Sequence, residues 1–161
     1  QNLLLCSDYM ASWLVYWTPE NVEEFEGMSN FRMDCIGSLS ADFSTALSKG
    51  DTVWIHSIDR EGYHSILGKL IIAEYYDSRE ETAKRIKRPL ATVKYTQYWV
   101  AEMPWDPIRD IPFGEVPRAL EFVSGKRLPK NYNGQNFQVS RREITDEDNQ
   151  MILDLWNAWT E

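Results

Sequence analysis

The chain has 161 residues, of which 43% are hydrophobic and 26% are charged, and its formal net charge is −8. This length and composition predict one globular domain with its own core, and they exclude a disordered chain. No apolar run approaches the roughly 20 residues that a membrane helix requires. The negative charge argues against tight, sequence-independent binding to duplex DNA.

The first residues and the cysteines bear on the limits of the domain and on its compartment. Because the chain starts at Gln1 and not at a methionine, we interpret residues 1–10 as an N-terminal extension or a remnant of expression or processing. Residues 11–161 are then the domain, and Met10 is an alternative native start. The first residues lack the length and basic flank of a signal peptide. Cys6 and Cys35 are therefore interpreted as reduced thiols of a cytoplasmic protein, with a disulfide between them as the weaker alternative.

The first half of the chain alternates between strand and helix signals. Ser12–Trp17 has the aromatic and β-branched composition of a strand. Thr18 and Pro19 suit the cap and first turn of a helix that is expected to end near Gly27. The other elements predicted in this half are a helix at Ser40–Leu47, a strand at 52–58, a hairpin turn at 59–62 and a strand at 63–76 with a bulge or close approach at Gly68.

The second half contains two clear helix starts. Ser78–Glu81 is a capping box for a helix that ends before Pro89. Thr145–Asp148 caps a final helix whose apolar side chains fall on one face and are predicted to pack on the core. Those side chains are Met151, Ile152, Leu155, Trp156 and Trp159. Between the two helices we predict a strand at 91–103, a proline-rich loop at 104–112, a helix at 117–124, a turn at 133–134 and a strand at 137–140. The order predicts an α+β fold with a curled sheet or small barrel and helices packed around it.

Aromatic residues make up 13% of the chain, including seven tryptophans. In the first strand, alternation places Trp13, Val15 and Trp17 on one face and Leu14 and Tyr16 on the other. A barrel has one interior, so some of these rings are expected to face outwards or line its mouth. They are interpreted as core packing or, alternatively, as a stacking pocket for a base or another flat ring.

Motifs for catalysis or metal binding are sparse. His56 and His64 are eight residues apart across the predicted hairpin, which allows a contact between paired strands, but no second cluster of metal ligands accompanies them. The sequence has no nucleophile elbow and no phosphate-binding glycine loop. We therefore expect no metal, no cofactor, no catalytic residue and no enzymatic activity. A hydrolase acting on nucleic acid is the alternative, and a carboxylate partner for His56 would favour it.

Charge is distributed unevenly along the chain. Residues 76–142 carry 13 basic and 8 acidic side chains, whereas the segments on either side are acidic. This basic segment is interpreted either as an anion-binding strip or as a solvated helical surface. The second interpretation is supported by the i,i+4 pairs that Glu80 forms with Lys84 and Glu81 with Arg85.

The order of several short segments resembles a known family. They are Ser12–Trp17 with Thr-Pro-Glu-Asn after it, Cys35–Ser40, Lys49–Asp51, His56–Ser57, Leu67–Glu74, Tyr98–Glu102, Phe137–Ser140 and Ile144–Asp148. Together, over about residues 11–157, this series resembles the EVE domain of the PUA-like superfamily, which is similar to the YTH domains that read methylated adenine in RNA. The loop Gly37–Ser40 departs from the Asn-Tyr-Gln-type segment that many EVE domains carry there.

The resemblance implies a small, distorted β-barrel and a non-catalytic pocket that binds a modified or flipped nucleobase. It also implies that the protein is the recognition module of a modification-dependent restriction or defence system. The implied ligand-binding residues are Trp17, Ile36, Gly37, Ser38, His56, Ser57, Tyr76 and Trp99, with Tyr98 as an alternative to Trp99. The basic strip would contact phosphates through Lys84, Arg85, Lys87, Arg88, Lys126 and Arg127.

Each implied residue type suits a base pocket. Trp17 and Tyr76 would stack on the ring, while Ser38, His56 and Ser57 would form hydrogen bonds with its edge. The expected partner is a nucleic acid, DNA or RNA, that carries a modified base. An effector nuclease, fused to the domain or associated with it, is a further expected partner. No interaction with a membrane is expected. The alternative is a small-molecule-binding or protein-interaction module on the same fold, which the isoelectric point of about 4.8 favours.

Overall fold

A computed structural model of the chain describes residues 10–29, 32–38, 46–90, 95–137 and 141–160. Within these ranges the fold is a mixed α+β arrangement of one sheet with helices around it. The strands are β1 (Ser12–Tyr16), β2 (Cys35–Ser38), β3 (Thr52–Ile58), β4 (His64–Tyr76), β5 (Gln97–Ala101), β6 (Ile111–Pro112) and β7 (Arg141–Ile144). The helices are α1 (Pro19–Ser29), α2 (Arg79–Ile86), the single turn α3 (Val116–Ala119) and α4 (Asp146–Thr160), with a 3-10 turn at Gly134–Phe137.

The strands follow one path through the sheet, in the order β2-β5-β4-β3-β1-β7, and β6 pairs with β4. β1 runs parallel to β3, and the other pairs are antiparallel. The end strands β2 and β7 do not pair with each other in the described parts of the chain. The predicted α+β class is therefore confirmed, whereas the sheet is open and the predicted barrel closure is not seen.

Alternation along β1 places its side chains in two separate cores. The predicted division of these residues between two faces is confirmed, whereas the predicted single interior is wrong, because each set packs into a core of its own. Val15 belongs to one core, together with the partly buried Trp13 and Trp17, whereas Leu14 and Tyr16 pack into the other. The first core contains Val15, Met33, Ile36, Leu47, Val53, Ile55, Leu67, Leu70, Ile72, Trp99 and Ala101. The second contains Leu14, Trp54, Ile66, Ile111, Phe113, Leu120, Phe122, Phe137, Ile144, Ile152 and Trp156.

Gly68 lies where the sequence predicts a bulge or close approach, and both are present. The register of β3 with β4 shifts between Ile55 and His56, which leaves one additional residue on β4 beside Gly68. A Cβ atom added to Gly68 would lie 2.5 Å from Cε of Met33. A glycine is therefore needed here because the first core packs directly against the backbone of β4.

The turn before β3 is attached to β1 through one buried carboxylate. Asp51, which is 2% exposed, accepts hydrogen bonds from the backbone amides of Ala11 and Ser48 and from the indole of Trp13. These bonds fix the start of β3 beside β1. They also explain why an acidic residue is buried at the end of the Lys49–Asp51 segment.

Several predicted elements have different limits in the structure. The helix predicted at 117–124 is only the turn α3, because the amides of Glu121 and Phe122 donate to the carboxylate of Asp148 instead of continuing the helix. The strand predicted at 91–103 begins at Gln97. The predicted elements at 40–45, 91–94 and 138–140 lie outside the described residues.

The final helix confirms its predicted cap but only part of its predicted core face. The Thr145 hydroxyl accepts from the Asp148 amide, and the Asp148 carboxylate accepts from the Thr145 amide. Ile152 and Trp156 are buried, whereas Trp159 is 58% exposed, so its predicted place in the core is wrong. Ile152 and Trp156 are the residues of α4 that belong to the buried second core. None of the helices in the described ranges is long and apolar enough to cross a membrane.

Replacing Asp148 tests the role of this carboxylate. Asp148→Ala removes the acceptor for three backbone amides, those of Glu121, Phe122 and Thr145. We expect the free energy of unfolding to fall by about 3–5 kcal/mol, because buried amides would lose a charged acceptor. The matched control is Asp154→Ala on the exposed face of the same helix, which should change stability by less than about 0.5 kcal/mol. Equal effects in urea denaturation would contradict this role.

Candidate functional site

A small, partly enclosed space of about 70 Å³ lies beside the edge strand β2, and four of its eleven lining residues are aromatic. We call it the aromatic pocket. It is formed where the end of β1, the first turns of α1, the strands β2 and β5 and the segment after α2 meet. Its lining residues are Trp17, Asn21, Glu24, Phe25, Cys35, Ile36, Gly37, Arg88, Leu90, Tyr95 and Tyr98.

Trp17 is held at the mouth of the pocket by its backbone. Its amide donates to the carbonyl of His56 at 2.9 Å, and its carbonyl accepts from the hydroxyl of Ser57 at 2.6 Å. The indole packs on Phe25 with ring centroids 4.7 Å apart. The position of the ring is therefore fixed from both sides before any ligand binds.

Gly37 allows two tyrosines to lie directly against the backbone of β2. A Cβ atom at Gly37 would lie 2.9 Å from Cδ2 of Tyr95 and 3.1 Å from Cε1 of Tyr98. The Tyr98 hydroxyl donates to the Tyr95 carbonyl at 3.1 Å. Any larger residue at position 37 would displace the tyrosine wall, which gives this glycine a role in the shape of the pocket.

The outer edge of β2 presents backbone groups next to these rings. The backbone carbonyl of Asp34 accepts a hydrogen bond from the backbone amide of Ala101 at 2.8 Å. This bond shows which residues of β2 are hydrogen-bonded to β5. In an antiparallel pair, hydrogen-bonded and non-hydrogen-bonded positions alternate. Ile36 therefore bonds to β5, whereas the amide and carbonyl groups of Cys35 and Gly37 are directed away from it. Both residues line the pocket.

A buried ion pair forms the back wall of the pocket. Arg88 donates from Nε to Asp34 at 2.8 Å and from a terminal nitrogen at 2.7 Å, and the two side chains are 7% and 0% exposed. Arg88 also donates to the Pro89 carbonyl and lies 5.0 Å from the Phe25 ring centroid. Burial disfavours the charged guanidinium, but the bonds to Asp34 outweigh it and raise the pKa of Arg88. The pair is therefore a neutral unit and not a free cation.

Cys35 lies between this ion pair and the pocket. Burial, reinforced by the negative charge of Asp34, raises the pKa of the Cys35 thiol. The side chain is a free, buried cysteine, so it contributes an uncharged apolar surface.

Three of the eight ligand-binding residues predicted from the sequence line the pocket: Trp17, Ile36 and Gly37. Tyr98, the alternative to Trp99, lines it too, whereas Trp99 points to the opposite face of β5 and belongs to the first core. Ser38, the next residue on β2, is half-buried and is not in the lining.

The other predicted ligand-binding residues are placed elsewhere. His56 and Ser57 lie behind Trp17 and support its backbone, so they do not reach the pocket. Tyr76 donates its hydroxyl to Glu74 at 2.9 Å and packs beside the small cluster around Ile86, outside the lining.

The predicted phosphate-binding residues do not surround the pocket. Only Arg88 lines it, and that side chain is paired with Asp34. Arg85 forms an ion pair with Glu74 at 2.7 Å. Lys84 and Lys87 are exposed along α2 and just after it.

Lys126 and Arg127 lie in a different part of the fold, near α3 and β7. Arg127 donates to the Arg118 carbonyl at 2.9 Å, and the Lys126 carbonyl accepts from Arg142. The basic residues that are adjacent in sequence are therefore scattered in space.

The two histidines form a buried polar chain on the side of the sheet that holds the second core. Nδ1 of His56 lies 2.7 Å from Nε2 of His64, whose Nδ1 lies 2.8 Å from the Tyr132 hydroxyl. Burial, and for His56 also repulsion from His64, lowers both pKa values, that of His64 to about 4. Among the described residues, neither ring is recorded with a carboxylate partner and no group of three or more metal-ligating side chains occurs.

Six lining residues were missed by sequence reasoning: Asn21, Glu24, Phe25, Cys35, Leu90 and Tyr95. Asn21 and Phe25 are four residues apart on α1, so helical spacing places them on one face and could have put them beside Trp17. Tyr95 gave no such signal, because it reaches the pocket through the pairing of β5 with β2.

Comparisons with known proteins bear only on the fold. No protein-family model matches the sequence, and no protein with a curated description is significantly similar to it. Among solved structures, a hypothetical protein from Leishmania major is similar, with a TM-score of 0.53 and 12% identity over 96% of this chain and 99% of that chain. At this identity, the similarity supports a shared fold and nothing about activity.

The Arg88–Asp34 pair can be tested through stability. Arg88→Ala leaves a buried carboxylate without its main partner, so we expect the free energy of unfolding to fall by about 3–5 kcal/mol. The double variant Asp34→Asn/Arg88→Ala should recover part of this loss, because no charge is then buried. The control Arg85→Ala breaks a pair whose side chains are 34% and 40% exposed and should cost at most about 1 kcal/mol. An Arg88→Ala effect no larger than the control would refute the assignment.

The histidine chain predicts a pH dependence of stability. His64 titrates near 6.5 when unfolded and near 4 when folded, so between these values the unfolded chain binds more protons. The contribution of His64 to the free energy of unfolding is therefore complete above pH 6.5. It declines by up to about 3 kcal/mol as the pH falls to 4. Denaturation across this range should show a flatter slope for His64→Gln, which cannot titrate. Parallel slopes for both proteins would contradict the prediction.

Proposed function

We propose that the protein is a non-catalytic reader that holds a modified or flipped nucleobase in the aromatic pocket. The observation that carries this proposal is the meeting of four aromatic side chains with the outer edge of β2, which pairs with no strand in the parts of the chain that the structure describes. Trp17, Phe25, Tyr95 and Tyr98 supply the rings. Concave, mostly apolar sites with a few polar groups are typical of ligand pockets.

A flat ring in this pocket would gain both stacking and directional hydrogen bonds. Base–aromatic stacking contributes about 1–3 kcal/mol per base. The backbone groups of Cys35 and Gly37 and the side-chain amide of Asn21 would form hydrogen bonds with the edge of the ring. A methyl group on the ring would add apolar surface for contact with Ile36 and Leu90, which favours a modified base over a plain one.

The assignment to the EVE and PUA-like domains, including a barrel-like arrangement of the sheet, is part of this proposal. It is supported by the order of the sequence motifs and by the place of Trp17, Ile36 and Gly37 in one pocket. The resemblance also implied contacts from His56, Ser57, Tyr76 and Trp99. Those residues lie outside the lining, so the proposal replaces them with Asn21, Phe25, Tyr95 and Tyr98.

A second candidate function is the binding of a small flat molecule that is not attached to a polymer. The charge distribution favours it, because Arg88 is neutralised by Asp34 and Glu24 also lines the pocket. For a small molecule without phosphates, affinity should depend only weakly on salt. For a polymer, Lys84 and Lys87 are exposed cations close to Arg88 in the chain, and their contacts with phosphates would make affinity fall as salt rises.

A titration series separates these two functions. Calorimetry would compare free nucleosides with single-stranded DNA and RNA oligonucleotides that carry methylated or hydroxymethylated bases, each against its unmodified counterpart. A reader binds the modified oligonucleotides more tightly than the plain ones. Binding of free nucleosides alone would establish the second candidate, and no binding of either class at low salt would refute the proposal.

Trp17→Ala tests the stacking wall. We expect ligand affinity to fall by about 1–3 kcal/mol, because one face of the ring loses its aromatic contact. The matched control is Trp159→Ala, since that indole is 58% exposed on α4 and does not line the pocket. It should leave the dissociation constant unchanged. Equal losses for the two variants in the same calorimetric titration would show that Trp17 does not contact the ligand.

A further inference from the structure

A second concave surface adjoins the aromatic pocket. It is an open groove of about 590 Å³ between the end of β1, the start of α1 and the 3-10 turn, and we call it the amide groove. Its polar wall consists of Tyr16, Thr18, Asn21, Asn133, Gly134 and Gln135. Asn21 lines both the amide groove and the aromatic pocket, so the two surfaces meet at this side chain.

The amide groove is uncharged although the chain as a whole carries a net charge of −8. Its described lining contains three side-chain amides and two hydroxyls, and no acidic or basic side chain. Amides and hydroxyls both donate and accept hydrogen bonds. Such a surface matches a neutral ligand with many hydroxyl groups better than it matches an ion.

A phosphate would be poorly matched to this groove. Its described lining contains no basic side chain that could pair with an anion.

The floor of the groove is packed and its far side is fixed. The Tyr16 ring stacks on Phe137 with centroids 5.5 Å apart. A Cβ atom at Gly134 would lie 2.8 Å from the Tyr16 hydroxyl, so the turn touches β1 directly. Within the turn, the backbone amide of Gln135 donates a hydrogen bond to the side-chain oxygen Oδ1 of Asn133 at 2.9 Å. The Gln135 side chain is exposed at the groove.

We propose that the amide groove binds the sugar attached to the ring in the aromatic pocket, so that the ligand is recognised as a nucleoside and not as a free base. This inference rests on the proposed function. A sugar is neutral and rich in hydroxyls, which matches the lining, and it would leave the ring at the side where Asn21 separates the two surfaces. The amides of Gln135 and Asn133 then bond to its hydroxyls.

The experiment compares bases with their nucleosides. Calorimetry of the full chain would use N6-methyladenine against N6-methyladenosine and 5-methylcytosine against 5-methylcytidine. The wild-type protein should bind at least one nucleoside about tenfold more tightly than its base, as expected for one or two added hydrogen bonds. Gln135→Ala and Gly134→Ala should each reduce this advantage by about threefold to tenfold and leave base affinity unchanged. Gln150→Ala, which replaces an exposed glutamine on α4, is the matched control.

The outcomes are distinct for the two proposals. A base and its nucleoside that bind equally well, or variants that weaken both to the same degree, would overturn the sugar assignment and leave the base pocket intact. Binding of neither class of probe to the wild-type protein would overturn the proposed function, and the sugar assignment with it. If both groove variants still bind the nucleoside more tightly than the base by the wild-type factor, the sugar assignment is also contradicted.

Discussion

The pocket depends on one buried ion pair, between Asp34 at the start of β2 and Arg88 just after α2. Two hydrogen bonds of 2.7 and 2.8 Å join side chains that are almost completely buried. This pair fixes the segment after α2 against the edge of the sheet, which brings Leu90 to the pocket beside Phe25. It also removes a cation from the set available to a ligand. The same contact therefore shapes the site and balances the charge of Arg88, while Glu24 adds a negative charge to the lining.

This charge balance changes how the basic segment of the sequence is understood. Cations that are neighbours in the chain are divided between the α2 side and the region of α3 and β7, and several have partners of their own. The described basic residues therefore do not form one charged surface around the pocket. The uncharged amide groove beside it is consistent with this chemistry.

Local signals in the sequence predicted the local parts of the fold. Alternation assigned the faces of β1, the turn at 59–62 set the β3–β4 hairpin, and capping residues located α2 and α4. The site was predicted only where a local motif carried it, as for Trp17 and Gly37. Contacts between distant segments could not be predicted, because Asp34 and Arg88 are 54 positions apart and carry no shared pattern. The break after α3 likewise arises from Asp148, a tertiary acceptor that local propensity cannot register.

We propose above that a flat ring binds between the aromatic walls and the outer edge of β2. The most direct measurement is an NMR titration of the ¹⁵N-labelled protein with N6-methyladenosine and with 5-methylcytidine. We expect one of them to shift the amide signals of Cys35, Gly37 and Tyr98 and the indole signal of Trp17, while the indole signal of Trp159 stays in place. Shifts confined to the surface around Lys126 and Arg127, or no shifts with either nucleoside, would contradict it.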